Sequence, residues 1–155
     1  IWMAGEVAAA AEKSLPLVLA ASVTPENRQC VETFSFSVAS IFQTWVNRRE
    51  SEHTRRAYRG DVMALVQFMR SREPGSWKWP EDATQMLSPS ILDVRAWKNQ
   101  IVNESVAPKT INRRISPLSS FYRFLAGTAA EMRLPITVPN PAHAQFIFTR
   151  VLGCR

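Results

Sequence analysis

Basic side chains gather at the starts of two segments that have the pattern of helices. One segment opens with "SEHTRR" (51–56) and the other with "APKTINRR" (107–114), so each carries cations in its first two turns. Free amide hydrogens already give a helix N-terminus partial positive charge, and acids rather than cations are expected there. The same amides and a neighbouring Arg or Lys can bind one oxyanion together. The pattern therefore favours phosphate as the ligand of both helix starts.

Ten residues form the predicted phosphate-binding surface, five from each segment. They are His53, Thr54, Arg55, Arg56, Arg59, Lys109, Thr110, Asn112, Arg113 and Arg114. Their threonine and asparagine side chains add short neutral donors that suit phosphate oxygens or base edges. In a DNA major groove, Arg113 has the donors to bind guanine bidentately, and Asn112 has the groups to bind adenine.

Chance is the alternative explanation of this pattern. An exposed cation at a helix N-terminus costs only about a few tenths of a kcal/mol, so one helix alone would tolerate it. However, two segments share the pattern, and residues 109–130 contain four basic residues and no acidic one. The whole chain has 19 Lys and Arg against 13 Asp and Glu, and this net charge of +6 favours a polyanionic partner.

The sequence contains few features that indicate binding of a metal, a cofactor or a membrane. Its two cysteines, Cys30 and Cys154, form neither a CxxC motif nor a cluster with histidine, so we expect no zinc site, no cofactor and a reducing cytoplasmic setting. Near the start, Glu12 and Lys13 interrupt the apolar run of "AAAAEKSLPLVLAASV". We therefore expect neither a signal peptide nor a membrane span there.

Four amphipathic patterns predict four helices within residues 35–50, 51–73, 88–105 and 106–125, with hardly any strand alternation. Their expected buried sides are Val38, Ile41, Phe42, Trp45 and Val46; Tyr58, Val62, Leu65, Phe68 and Met69; Ile91 or Leu92, Val94, Trp97 and Ile101; and Ile111, Ile115, Leu118, Tyr122 and Leu125. The expected outer side of the second helix carries Arg56, Arg59, Met63, Gln67 and Arg70. The fold class predicted is an all-α, compact bundle of four to five helices.

Helix boundaries follow from capping and breaking residues. Ser88 is the expected cap of the third helix, with Pro89 at its first position. Gly127 is expected to end the fourth helix, and "AAEMRL" (129–134) then predicts a short fifth helix. Pro117 lies inside the fourth helix, where it removes a hydrogen bond, so we expect a bend there.

Three of these stretches, in this order, resemble the tyrosine recombinase (phage integrase, Xer-like) family. They are "SEHTRRAYRGDVMALVQFM", then "APKTINRRISPLSSFYRFL", and finally "NPA". The residues that carry the resemblance are Ser51, Thr54, Tyr58 and Asp61; Thr110, Ile111, Arg113, Arg114, Leu118 and Phe121; and Asn140, Pro141 and Ala142. Ala107 departs from the pattern, because a serine cap is usual there.

The resemblance implies the N-terminal core-binding, SAM-like domain of such an enzyme. This domain would grip one face of a recombination half-site in double-stranded DNA and contact other recombinase protomers, with no membrane and no small-molecule substrate. Residues 1–33 would form a flexible extension, 34–139 the helical domain, and 140–155 a hinge to a catalytic domain that this chain lacks. We therefore expect no catalytic activity from this chain, and a nucleoid-associated location in the cytoplasm.

Several residues that resemble catalytic groups have simpler interpretations. "HTRR" spells the His-x-x-Arg element of the family, but in the wrong domain, so we interpret it as coincidental. Tyr58 and Tyr122 fall on apolar helix faces and are expected in the core rather than as nucleophiles. Trp77 and Trp79 are more simply anchors of a long loop than stacking platforms for a base. His143 stands alone in a tail.

Two other functions fit a basic helical bundle. A protein–protein adaptor could use its basic face to bind an acidic partner, because a fold does not determine a function. An independent helix-turn-helix regulator is excluded, since the connection between the second and fourth helices is far too long for that motif. The final "AQFIFTRVLGCR" either docks on the bundle, pairs with another chain or is disordered, and the sequence does not decide among these.

Overall fold

The computed structural model describes residues 24–72, 75, 77–104 and 107–147. In this part of the chain the elements are α1 (Arg28–Phe36), α2 (Val38–Asn47), α3 (Glu52–Arg72), a 3₁₀ helix (Ala83–Leu87), α4 (Ile91–Asn103), α5 (Pro108–Glu131) and α6 (Ala144–Ile147). No strand occurs among the described residues, and the predicted all-α fold class is confirmed. The apolar run near the start of the chain lies outside the described residues.

The first predicted helix, within 35–50, corresponds to α2, and a further helix, α1, precedes it. Helix α1 begins inside the segment that the sequence predicts as an extension, and it buries Val31 and Phe34. At the junction the hydroxyl of Ser37 donates to the carbonyl of Thr33 (2.7 Å), so this carbonyl in the last turn of α1 accepts a hydrogen bond from a side chain. Since α1 has only nine residues, its short apolar face gave no clear period in the sequence.

Helix α5 is longer than its sequence predicts. It runs from Pro108 to Glu131 without a break, so the predicted end at Gly127 and the separate fifth helix are both wrong. A mid-helix glycine costs only about 1 kcal/mol. Leu125 and Ala129, on either side of it, are both buried and hold the helix together. The helix also continues through the buried Pro117, and the bend there remains a prediction.

The start of α4 is set by Ser90 rather than by Ser88. The Ser90 hydroxyl accepts from the amide of Asp93 (3.3 Å), and the Asp93 carboxylate accepts from the amide of Ser90 (2.9 Å). This reciprocal pair is a capping box, which satisfies two donors at once. Pro89 therefore precedes the helix. Leu92 is 72% exposed, so of the two residues predicted at this position Ile91 is the one that packs against the core.

Aromatic rings from α2, α3, α5 and the loop before the 3₁₀ helix form much of the core. The Trp45 ring lies 5.3 Å from that of Phe121 and 5.4 Å from that of Tyr58. Trp77 and Trp79 are buried, which confirms that they anchor the loop. Arg70, predicted on the outer side of α3, instead donates to the carbonyl of Trp79. The core thus fixes α3 and α5, the two helices that carry the candidate residues.

Candidate nucleic-acid interface

Contacts along α3 and α5 determine where the two cationic helix starts lie. The start of α5 lies beside the middle of α3, because Arg113 and Arg114 act electrostatically on Asp61 of α3. The second half of α5 lies beside the loop before α3, where the Arg48 guanidinium carbon is 4.9 Å from the Phe124 ring centroid. The start of α3 and the start of α5 therefore lie at opposite ends of the contact between these two helices.

The candidate residues on α3 do not all face one way. At 100° per residue, Asp61 lies about 140° around the helix from Arg56, so the α5 cations flank a different side of α3. Arg59 and Met63 line a cleft of about 440 Å³ with residues of α2, and Met63 packs against the core. The predicted outer side of α3 is thus partly covered, and Arg56 and Gln67 are its exposed members.

Exposure differs among the ten candidate residues. Five side chains are exposed, and these are His53, Arg56, Lys109, Asn112 and Arg113. The other five are partly buried, and these are Thr54, Arg55, Arg59, Thr110 and Arg114. The cap residue of α5 is Ala107, which has no side-chain acceptor for the first amides of the helix. This agrees with the departure from the family's serine cap noted in the sequence. The first amides and three cations of α5 therefore lie together at one end of the helix.

Hydrogen bonding separates Arg55 from the other candidate cations. Its Nε donates to the carbonyl of Arg49 (2.6 Å), and its Nη1 lies 3.3 Å from the Glu52 carboxylate. Within the described part of the chain, the other candidate cations form no side-chain hydrogen bond and no ion pair within 4.0 Å; they are Arg56, Arg59, Lys109, Arg113 and Arg114. Arg55 thus has intramolecular partners for its donors, whereas the other five cations have none among the described residues.

Asp61 is the acid that sequence reasoning missed at this site. Burial raises the pKa of its carboxyl above the usual range, although the guanidiniums of Arg113 and Arg114 oppose the increase. One carboxylate on the neighbouring helix thus offsets part of the charge of Arg113 and Arg114. The cluster remains net positive and can still attract an anion.

The two tyrosines are structural, as predicted. The buried Tyr122 hydroxyl donates to the carbonyl of Met86 (2.6 Å), and burial, with a smaller contribution from Asp93, raises the pKa of this phenol far above its usual range. The Tyr58 ring stacks on Trp45, with the Arg49 guanidinium carbon 4.8 Å from its centroid. Neither tyrosine is placed as a nucleophile.

The segment that follows α5 (residues 132–147, the exit segment) is attached to the bundle. The Asn140 amide nitrogen donates to the Ser119 hydroxyl (3.0 Å), and the Asn140 side-chain oxygen accepts from the amide of Ala142 (3.0 Å). Ile147 is buried, and its carbonyl accepts from Lys98 Nζ (2.9 Å). Of the three possibilities for the final segment, docking on the bundle is correct for residues 144–147, while 148–155 lie outside the described residues.

Metal-binding and membrane-spanning features are absent from the described residues. No group of three or more His, Cys, Asp or Glu side chains comes together there. No helix among them has both the length and the apolar character needed to cross a membrane.

Comparison with known proteins connects this arrangement to one family. The family described as "Phage integrase, N-terminal SAM-like domain" matches residues 43–128, which include α3, α4 and most of α5. No solved structure shows a significant match to the chain.

Curated relatives carry the name tyrosine recombinase XerC. The chain is 32% identical to that of Mycobacterium sp. (strain KMS) over 108 residues, which cover 68% of this chain and 31% of the relative. It is 32% identical to that of Pediococcus pentosaceus over 88 residues, which cover 56% of this chain and 27% of the relative. With Chlorobaculum tepidum the identity is 26% over 91 residues, covering 59% and 26%. The chain thus spans about a third or less of the length of these relatives.

Proposed function

The chain belongs to the family of phage integrase N-terminal SAM-like domains, and from this premise we propose that it is a DNA-binding core-binding domain. It grips one face of a recombination half-site in double-stranded DNA. Its partners are the DNA duplex and other recombinase protomers, in a nucleoid-associated setting in the cytoplasm. The catalytic residues of the recombinase lie outside this domain, and the chain alone has no strand-cleaving activity.

The unpaired cations at the start of α5 carry the proposal. Arg113 and Arg114 have no hydrogen-bonding partner within the described residues, and neither has Lys109. Their side-chain donors therefore have no partner among the described residues, at a helix start whose cap residue, Ala107, provides no side-chain acceptor. Guanidinium donors and helix N-terminal amides are the groups that most often bind DNA phosphates. Thr110 and Asn112 add neutral donors between these cations.

Helix α3 supports the same function through Arg56. Its side chain is exposed and unpaired in the described part of the chain, one turn into the helix. Since Arg56 and the α5 cations lie on different sides of α3, one duplex contacts both only if it spans the width of this helix pair.

Salt-dependent binding to a duplex tests the proposal. Log K should fall linearly with log salt concentration, by about 0.9 for each phosphate contact. We expect Arg56→Ala, Arg113→Ala and Arg114→Ala each to reduce that slope by about one, as measured by fluorescence anisotropy with a labelled duplex. Lys78→Ala is the matched control, because Lys78 is an exposed cation in the loop before the 3₁₀ helix.

Two outcomes would contradict the proposal. One is a slope that none of the three arginine variants changes. The other is equal affinity for a non-nucleic polyanion of the same charge, because a generic basic adaptor would not distinguish the two polymers. The Arg55→Ala variant separates an effect on stability from an effect on binding. Because Arg55 bonds to Glu52 and to the Arg49 carbonyl, this variant should lower stability and leave the salt slope nearly unchanged.

A further inference from the structure

An open cavity of about 710 Å³ lies where the end of α2 meets the second half of α5. Its polar lining consists of two guanidiniums, two hydroxyls and one carboxylate, from Arg48, Ser120, Arg123, Thr128 and Glu131. The sequence prediction did not include this cavity, which lies at the opposite end of the α3–α5 contact from Asp61. Two cations against one acid leave it net positive.

The arginine and serine donors that line this cavity have no acceptor among the described residues. The Arg48 guanidinium lies over the Phe124 ring, a contact that holds a cation in place without consuming its hydrogen-bond donors. Arg123 is exposed, and neither arginine side chain forms a hydrogen bond or ion pair within the described residues. Ser120 Oγ accepts from the Trp45 indole (3.3 Å), which leaves the serine proton available to a ligand.

Gly127 lines the cavity beside open space. A Cβ atom built there would meet no other atom within 4 Å. The Thr128 hydroxyl, in contrast, already donates to the carbonyl of Phe124 (2.9 Å), so its donor is occupied. The donors available to an anion therefore come from Arg48, Ser120 and Arg123.

We propose that this cavity binds a backbone phosphate of the same DNA duplex, as a second anchor beyond the start of α5. This inference rests on the proposed function. Arg123 follows Arg113 by ten residues, which places the two about 80° apart around α5. Arg113 and Arg123 are separated by about 15 Å along the helix axis. That separation is close to the width of a major groove, about 12 Å, so the two anchors suit phosphates on opposite edges of one groove.

The charge of the cavity favours a phosphate over an acidic protein segment. A phosphodiester has the compact, tetrahedral oxygens that two guanidiniums and a hydroxyl can share. Glu131 at the margin of the cavity weakens the attraction for any anion, and its removal should strengthen binding. An acidic segment of a protein is the competing occupant, and the experiment distinguishes the two.

The test compares variants of the full chain in salt titrations with a labelled duplex. We expect Arg48→Ala and Arg123→Ala each to reduce the salt slope by about 0.9 and the affinity by about three- to tenfold at constant salt. Glu131→Gln should bind more tightly, and Lys78→Ala should change the slope little. Arg48→Lys retains the charge over Phe124 and should retain most of the slope. Circular dichroism melting of each variant identifies any that fails to fold.

The outcomes separate this inference from the function on which it rests. If Arg113→Ala reduces the slope while folded Arg48→Ala and Arg123→Ala behave like Lys78→Ala, the cavity is not a phosphate site and the DNA-binding function stands. If Arg113→Ala also has no effect, the function itself fails. Tighter binding of polyglutamate than of duplex DNA, lost in the Arg48 and Arg123 variants, would assign the cavity to an acidic protein segment and overturn the inference.

Discussion

Asp61 is the acidic residue that interacts electrostatically with Arg113 and Arg114 at the start of α5. Its carboxylate is partly withdrawn from water, and this burial outweighs the attraction of Arg113 and Arg114 because the net effect is a raised pKa. The ionised form of Asp61 is therefore less favourable in the folded chain than in the unfolded one. The Asp61 carboxylate therefore does not stabilise the fold at neutral pH, although two arginines lie close to it.

Replacing Asp61 tests this balance through its pH dependence. Because the folded pKa is raised, ionisation lowers stability as pH rises from the unfolded value of 3.8 through the folded pKa. Below 3.8 the carboxyl is neutral in both states and the cost disappears. We therefore expect Asp61→Asn to raise Tm by about 1–3 °C at neutral pH and hardly at all near pH 3, as measured by thermal melting.

The same variant should bind duplex DNA about threefold more tightly, because one competing negative charge is removed near the phosphates. Glu131→Gln is the control for Tm, since it makes the same charge change at the exposed far end of α5, about 27 Å from Arg113 along the helix. A lower Tm for Asp61→Asn at neutral pH would contradict this account, because it would mean that the ion pairing stabilises the fold.

Among elements, α4 and α5 begin in contrasting ways. The capping box of Ser90 and Asp93 satisfies the first amides of α4 within the chain. Helix α5 begins at Pro108 without a side-chain hydrogen bond from Ala107. In α5, Pro108 has no amide hydrogen, and the Thr110 and Ile111 amides donate to the Ala107 carbonyl (2.9 and 3.1 Å). The two helices therefore differ in how their first amides are bonded.

Removing the cap of α4 should destabilise the fold without affecting DNA binding. We expect Ser90→Ala to lower the free energy of unfolding by about 1 kcal/mol, since the Asp93 amide loses its acceptor. Urea denaturation measures the change. Ser88→Ala is the matched control two residues earlier, because Ser88 only donates to the Gln85 carbonyl in an exposed turn. Equal losses for the two variants would argue against Ser90 as the cap.

Periodicity predicted the faces of the helices well, and their ends less well. The predicted apolar side of α5 is buried at every position, from Ile111 to Leu125. The end at Gly127 was wrong because tertiary burial on both sides of it outweighs a weak local preference. The cap of α4 was misplaced by two residues, since both serines have the right chemistry and only backbone geometry distinguishes them.

At the scale of the whole molecule, long-range contacts were beyond sequence reasoning. The ten candidate residues could be chosen from charge and helix position, but the effect of Arg113 and Arg114 on Asp61 depends on how two distant segments pack. The cavity between Arg48 and Arg123 depends on the same packing, because the end of α2 and the second half of α5 build it together. Local patterns carry no information about such pairs.

The exit segment holds the bundle together at this scale. Asn140 joins it to Ser119 on α5, and Lys98 joins its end to α4. We expect Asn140→Ala to lower the free energy of unfolding by about 1 kcal/mol and to increase protease cleavage within residues 136–147, because three side-chain hydrogen bonds of Asn140 are lost. DNA affinity should stay within about twofold, since the cations are elsewhere.

Limited proteolysis with mass spectrometry measures this effect. Thr137→Ala, an exposed position in the same segment, is the control and should cleave like the unmodified chain. If the two variants are cleaved alike, Asn140 does not fasten the segment.

This fastening has a mechanical consequence. Because the polypeptide is held at Asn140 and again at Ile147, the path of the segment between these two residues along α5 and α4 is fixed. A force applied at Ile147 would act on α4 through Lys98, and a force applied at Asn140 would act on α5 through Ser119.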